Sequence, residues 1–286
     1  MTADALASAL SAALGAGVDA MRRLSGGDVA EAFAVDLTDG RRVFAKTHGS
    51  PPRHFFDTEA RGIAWLRESG AATVPAVLAH ADDPVAFLAL AWIDEGPRSG
   101  ADEADFGRRL AAMHRAGAPS FGRADRRTTG SRGLPNEPCP TWSEFYGGQR
   151  LVPLARLAGD GGALPTSAVT GLDRLAHALD AWDDGEPASR LHGDLWAGNR
   201  LVDTAGRSWL IDPACHGGHR EFDLAMMRLF GGFGDSAFTA YDEIHPLADG
   251  WPERVALHQI APLVVHAIKF GGGYVEAAVA AIERYT

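Results

Sequence analysis

Apolar residues recur at helical spacing in the Ala-rich opening segment, at Leu6, Leu10, Ala13 and Leu14. Three short runs with strand-like alternation follow. Val18–Leu24 leads into Ser25-Gly26-Gly27-Asp28, residues 30–37 lead into Asp39-Gly40, and Arg42–Thr47 comes next. An Asp-Gly pair between alternating runs is a strong hairpin signal, so the pattern predicts a three-stranded antiparallel meander whose third strand carries Lys46. Residues 53–69 turn helical, with Phe56, Ile63, Trp65 and Leu66 on the apolar side and Gly70 as a stop. The continuous apolar run 85–93 reads as a buried strand, and the polar, Gly- and Pro-bearing stretch 94–100 reads as a linker. It divides a first lobe, 1–93, from a second, 94–286.

The second part is mainly helical in pattern. Residues 106–114 and 167–182 are amphipathic, and Phe222, Ala225, Met226 and Leu229 fall at i, i+3, i+4 and i+7. Leu257, Ile260, Ala261, Val264 and Ile268 repeat that spacing before Gly271-Gly272-Gly273. Two short strands are expected at 200–202 and 208–211, while 118–140 is rich in Gly, Pro and Arg without periodicity and reads either as a disordered insert or as a functional loop. The fold class that results is α+β, an antiparallel sheet lobe followed by a helical one.

Composition narrows the function. The 286 residues are 46% hydrophobic and 22% charged, a globular balance with room for two modest lobes. A net charge of −10 argues against nucleic acid and anionic membrane as partners. The apolar runs 85–93 and 260–268 are too short to span a bilayer, and the opening segment, with Asp4 and no basic run, does not read as a signal peptide. Cys139 and Cys215 lie far apart without metal-like spacing and read as buried free thiols, so a reducing cytoplasm is the expected location and a monomer the default state. Of the 27 basic residues only Lys46 and Lys269 are lysines. A chain that uses Arg nearly everywhere raises the question of what Lys46 does that Arg would not.

The chemistry concentrates in two segments. His192-Gly193-Asp194-Leu195-Trp196-Ala197-Gly198-Asn199 has the His-x-Asp-x-x-x-x-Asn spacing of a kinase catalytic loop, and Asp212 ends a short apolar strand downstream. Phosphoryl transfer needs a carboxylate to accept the proton of the attacking hydroxyl, for which Asp194 is the candidate. It also needs a hard divalent cation on the phosphates, and Asn199 and Asp212 offer the oxygen ligands that Mg²⁺ takes. In the first lobe, Gly26 and Gly27 allow close backbone approach to phosphate, although no Walker A lysine follows them. Lys46 then reads as the phosphate contact and Glu59 as its ion-pair partner. Singly, each has a plainer reading as turn, solvated charge or strand terminator; their order along the chain favours the catalytic one.

These motifs resemble the kinase-like phosphotransferases of small molecules. More closely, Thr141-Trp142-Ser143-Glu144-Phe145, Asp212-Pro213-Ala214, Gly218-His219-Arg220-Glu221-Phe222-Asp223-Leu224-Ala225, Leu229-Phe230-Gly231-Gly232-Phe233 and Phe270-Gly271-Gly272-Gly273-Tyr274 look like the fructosamine kinases, or ketosamine-3-kinases, over nearly the whole chain. The resemblance implies a bilobal protein-kinase-like fold and ATP-dependent phosphorylation of the sugar O3 of ketosamines, free or on glycated proteins, leading to deglycation. It implies adenine held by backbone groups of Leu90, Ala91 and Trp92, although Ala91 stands where the family often has Glu. Asp28 stands where some relatives carry a cysteine, so no redox switch is carried over.

Trp196 is placed to cover a sugar or its amine substituent, with a packed core Trp as the plainer reading. His216 and His219 are expected either to touch the polyol or to satisfy local backbone groups, and Glu221 and Asp223 to cap the helix at 222. Two further readings stay open: a phosphotransferase for another hydroxyl acceptor such as an aminoglycoside, and a nucleotide-binding pseudokinase or interaction module. Against the last stand the base, both metal ligands and the Lys/Glu pair, all present.

Overall fold

The computed structural model describes residues 3–25, 30–124, 128–129 and 133–286. After helix α1 (Ala3–Leu14), strands β1 (Val18–Leu24), β2 (Glu31–Leu37) and β3 (Arg42–Thr47) form the expected antiparallel meander. Gly40, at φ 86°, makes the tight turn between β2 and β3, a backbone region that glycine enters without steric cost. Helix α2 (Phe55–Arg67) starts against Asp82, whose carboxylate accepts the Phe56 and Asp57 N–H groups at 2.9 and 3.2 Å. Strands β4 (Val77–Ala81) and β5 (Phe87–Ala91) complete a sheet of order β1-β2-β3-β5-β4. The apolar run 85–93 is thus β5, buried between β3 and β4. The edge strand β4 is half-exposed and lacks an apolar alternation that would announce it.

Helix α3 (Glu103–Arg115) is followed by the two-residue strands β6 (Thr128–Thr129) and β7 (Leu134–Pro135), then α4 (Trp142–Tyr146), α5 (Val152–Asp160) and α6 (Thr166–Ala176). Strands β8 (Ser189–Leu191), β9 (Arg200–Val202), β10 (Ser208–Leu210) and β11 (His216–Gly218) pair as β9 with β10 and β8 with β11. Helices α7 (Glu221–Phe230), α8 (Asp235–Ile244), α9 (Trp251–Phe270) and α10 (Gly273–Glu283) close the chain. The amphipathic stretch 167–182 is not one helix. It ends at Ala176, where His177 turns its Nδ1–H back to the Asp173 carbonyl, and a short 3₁₀ turn follows. The segment 118–140 is anchored at both ends, by bridges from Phe121 to Cys139 and from Gly122 to Gly217.

The chain forms two compact units, one of residues 1–68, 73–102 and 201–213, the other of 69–72, 103–200 and 214–286. In the first, Leu6 and Leu10 of α1 pack on Val35, Leu37, Val43, Ala45, Phe87 and Ala89 of the sheet. In the second, Trp142, Phe145, Tyr146, Leu154 and Leu172 pack with Leu257, Ile260 and Val264 of α9. Pro262 lies inside α9 and has no N–H to give, which frees the His258 carbonyl; the buried Tyr146 hydroxyl donates to the neighbouring Leu257 O at 2.8 Å, with His258 O at 3.4 Å. Among the described residues no helix is long and apolar enough to cross a membrane.

Candidate active site

In the first unit the chemistry gathers around one lysine. Lys46 projects from β3 and is 7% exposed; its Nζ lies 2.6 Å from Glu59 Oε1 on α2 and 2.7 Å from Asp212 Oδ1, just beyond β10. Burial works against the ammonium, but the two carboxylates outweigh it, and the group is held protonated well above its ordinary range. Asp212 adopts φ 53°, the left-handed region that Asp tolerates better than most residues, at the point where the strand ends. Its side chain remains 46% exposed. Leu90 is buried within the sheet, and the Ala91 N–H is donated to Ala76 O at 2.8 Å. Trp92 is half-buried beneath the Arg42 guanidinium, with its Nε1–H on Asp94. Gly26 and Gly27 lie outside the described residues.

In the second unit the loop between β8 and β9 carries the other candidates. Asn199 Nδ2 donates to both the carbonyl and Oδ2 of Asp194, each at 2.9 Å, so the two side chains are locked together. With its nitrogen so engaged, the Asn199 amide presents oxygen as its remaining donor atom to a cation. Gly193 sits at φ 80°, where a Cβ would overlap the Ala214 carbonyl oxygen. Gly198 lies under the Trp196 indole, where a Cβ would overlap the ring. Trp196 itself is 41% exposed, so it is not a core tryptophan.

The sequence model of the fructosamine kinase family matches residues 2–286. The chain belongs to the fructosamine kinase family. It is 34% identical to the "probable ketoamine kinase" of Vibrio parahaemolyticus, over 92% of this chain and 91% of that one. It is 33% identical to the chloroplastic protein-ribulosamine 3-kinase of Arabidopsis thaliana, over 87% of this chain and 77% of that one. A candidate fructosamine-3-kinase structure from Thermobifida fusca superposes with a TM-score of 0.90 at 39% identity, covering 99% of each chain. An aminoglycoside phosphotransferase in ternary complex with ADP and hygromycin B, 16% identical, shares the fold at a TM-score of 0.62 over 97% of this chain and 98% of that one. The fold is therefore the α+β, protein-kinase-like one, and the chain is a kinase-type phosphotransferase.

One group in this chain has a role that the sequence did not disclose. Asp223, fully buried in the first turn of α7, does not cap its own helix. Its carboxylate accepts the backbone N–H of His192 at 2.8 Å and of Gly193 at 2.9 Å, and it meets His114 Nε2 at 3.2 Å. His114 in turn reaches the Tyr241 hydroxyl at 2.8 Å. The acid thus fixes the backbone one residue ahead of Asp194. An acid in the first turn of a helix normally serves that helix's N-terminus, which is why the spacing alone misassigned it. Asp223→Asn places an amide NH₂ against one of these donors, and we expect kcat to fall at least about tenfold because the loop loses its register. Steady-state kinetics that show an unchanged kcat would refute this.

His216 and His219, read either as polyol contacts or as groups that satisfy the local backbone, are both buried. They are 4% and 2% exposed. His216 Nδ1 bonds the Ala214 carbonyl at 2.9 Å and its ring packs between Phe145 and Phe222. His219 accepts from the Glu221 N–H and bonds Asp184 at 3.1 Å. The cavity beside them, lined by Trp142, Arg150 and Phe222, has a volume of about 10 Å³, room for about one water. Glu221 is held by Arg254 at 2.9 and 2.5 Å.

Burial pushes the His216 ring down to about 3 and the His258 ring down to about 4. Both are neutral in the folded chain, whereas in the unfolded chain they protonate near 6.5. The unfolded state therefore binds the extra protons as pH falls below about 6.5, and stability should drop by about 1.4 kcal/mol per pH unit for each ring until its folded value is reached. Glu221 behaves differently: burial raises its carboxyl, but His258 and Arg254 outweigh that and bring it down to about 2. Its contribution is present above about 4.5 and lost only as pH falls toward 2. Urea midpoints should thus fall between pH 7 and pH 5, less steeply in His258→Gln; equal slopes would contradict the assignment.

Proposed function

We propose that this chain transfers the γ-phosphoryl group of ATP to the sugar O3 of ketosamines. The observation that carries it is the Lys46 ammonium held between Glu59 and Asp212 in a chain that belongs to the fructosamine kinase family. The region 1–93 is the nucleotide-binding lobe and 94–286 the catalytic and substrate lobe. Asp194 takes the proton from the acceptor hydroxyl as its oxygen bonds to phosphorus and the bond to ADP breaks. Asn199 holds that carboxylate in one orientation through Nδ2. Lys46 meets the phosphate oxygens, and Glu59 keeps its ammonium in place.

Asn199 and Asp212 each offer a hard oxygen of the kind that Mg²⁺ takes. When bound, that cation neutralises phosphate charge. The hinge segment Leu90, Ala91 and Trp92 faces adenine, with the contact falling to groups other than the Ala91 N–H, which is engaged by Ala76. A phosphate at O3 is a leaving group: after enolisation between C1 and C2 it departs with the C3–O electron pair, and hydrolysis of the resulting imine returns the amine.

ATP consumption tests this against fructosyl- and ribulosyl-amines, a panel of aminoglycosides and choline. Turnover with ketosamines is expected. Turnover confined to aminoglycosides, or none at all, would overturn the proposal.

A further inference from the structure

The second unit carries a row of aromatic rings that starts beside the proposed base. Trp196, two residues past Asp194, meets Phe230 edge-on with centroids 6.1 Å apart. Phe230 meets His266 at 5.1 Å, and His266 meets Phe270 at 5.6 Å and Tyr274 at 5.0 Å. The last two lie 6.0 Å apart. The row crosses three separate pieces of chain: the catalytic loop, the end of α7 and the corner between α9 and α10. Its two ends, Trp196 at 41% and Phe270 at 53%, are among the few large hydrophobic side chains left exposed. His266 is fixed in the middle by its Nδ1 bond to the Pro262 carbonyl at 2.8 Å. Isolated exposed hydrophobics need no explanation, but a connected row of rings that ends in solvent and begins two residues past the proposed base does.

Resting on the ketosamine reading, we propose that this row reads the amine side of the substrate and selects adducts whose amine carries an extended apolar stem. A ketosamine has a secondary amine, cationic at neutral pH, one carbon from the carbonyl and close to the hydroxyl that is phosphorylated. With that hydroxyl at Asp194, the ammonium comes within range of the Trp196 face, the ring with the strongest attraction for a cation. The substituent on nitrogen then continues along Phe230 and His266 toward Phe270 and Tyr274. These rings offer π-faces and apolar edges, with the Lys269 ammonium 4.8 Å from the centre of the Phe270 ring at the far end, so an alkyl or aryl stem gains contact along the row while a short polar one gains none.

The test is a series of 1-deoxy-1-alkylamino-fructoses, from methyl through butyl to hexyl, with kcat/KM measured for the full chain and for Phe270→Ala and Tyr274→Ala. For the unmodified chain kcat/KM is expected to rise at least about tenfold from methyl to hexyl, since several methylenes leave water. In both variants the hexyl-to-methyl ratio should shrink toward unity. Phe270 is more than half exposed, so its truncation does not endanger the fold, and a thermal midpoint confirms this for both. A flat series in the unmodified chain, or the same ratio in the variants, would overturn the inference while leaving the kinase reading intact. Turnover of no member of the series would overturn the kinase reading and this inference with it.

Discussion

Asp194→Asn is expected to lower kcat by about 10²- to 10⁴-fold, the range over which a positioned general base contributes. The geometry makes this substitution unusually clean. Asn199 Nδ2 donates to Asp194 Oδ2, so an asparagine at 194 turns its own oxygen toward Asn199 and its NH₂ toward the acceptor. An amide nitrogen in that position cannot take a proton. The backbone bonds of the loop, from Asn199 Nδ2 to the residue 194 carbonyl and from the Trp196 N–H to the same oxygen, are untouched. Nucleotide binding, carried in this reading by residues of the first unit, should stay within about twofold, because no charge that meets phosphate is removed. Steady-state turnover with a ketosamine, beside calorimetric titration with an ATP analogue, decides it. Full turnover in the variant would mean that the base is another group.

Lys46→Arg should cost at least about 100-fold in kcat/KM even though the charge is conserved, the scale on which an ångström of misplacement acts. With 2.6 and 2.7 Å to its two carboxylates and almost no exposure, the site fits a compact ammonium on a slim stem. A planar guanidinium is wider and has to displace Glu59 or Asp212. Lys46→Met acts differently, since it leaves the Glu59 carboxylate, 13% exposed, with no countercharge on Lys46. Breaking a buried pair from one side typically costs about 3–5 kcal/mol; the exposed Asp212 adds little because water screens it. Urea unfolding of the two variants should thus separate them, with the Met form the less stable and the Arg form folded but slow. Near-normal activity in the Arg variant would remove Lys46 from the phosphate contact.

The pairing of Lys46 with Glu59 was legible in the sequence, and Asp194, Asn199 and Asp212 were named there as candidates, because phosphoryl transfer prescribes residue types in a set order, and order survives in one dimension. The meander was legible because Asp39-Gly40 is a local signal. Strand β4 was not, since an edge strand with Leu78 exposed needs no alternation. Strands β8 and β11 were missed for another reason: three residues each, they are held by pairing with one another across 24 intervening positions rather than by local propensity. Asp223 failed in the opposite direction. Its local context suggested a helix cap, and only the fold brings His192, Gly193 and His114 around it. His216 and His219 went the same way, because whether a loop histidine meets solvent is decided by packing from Phe145, Phe222 and Trp142, which lie far off in sequence.

The burial of Lys46 has a chemical consequence apart from catalysis. Reducing sugars condense only with unprotonated amines, and the carboxylates on either side keep this ammonium charged and out of solvent. With every other cationic side chain but one an arginine, Lys269 is the single exposed lysine at which glucose or ribose could form a Schiff base. A chain proposed to process sugar-modified amines thus offers almost no lysine of its own to the same modification, and the lysine proposed to meet phosphate is the one that the fold keeps beyond the reach of sugars.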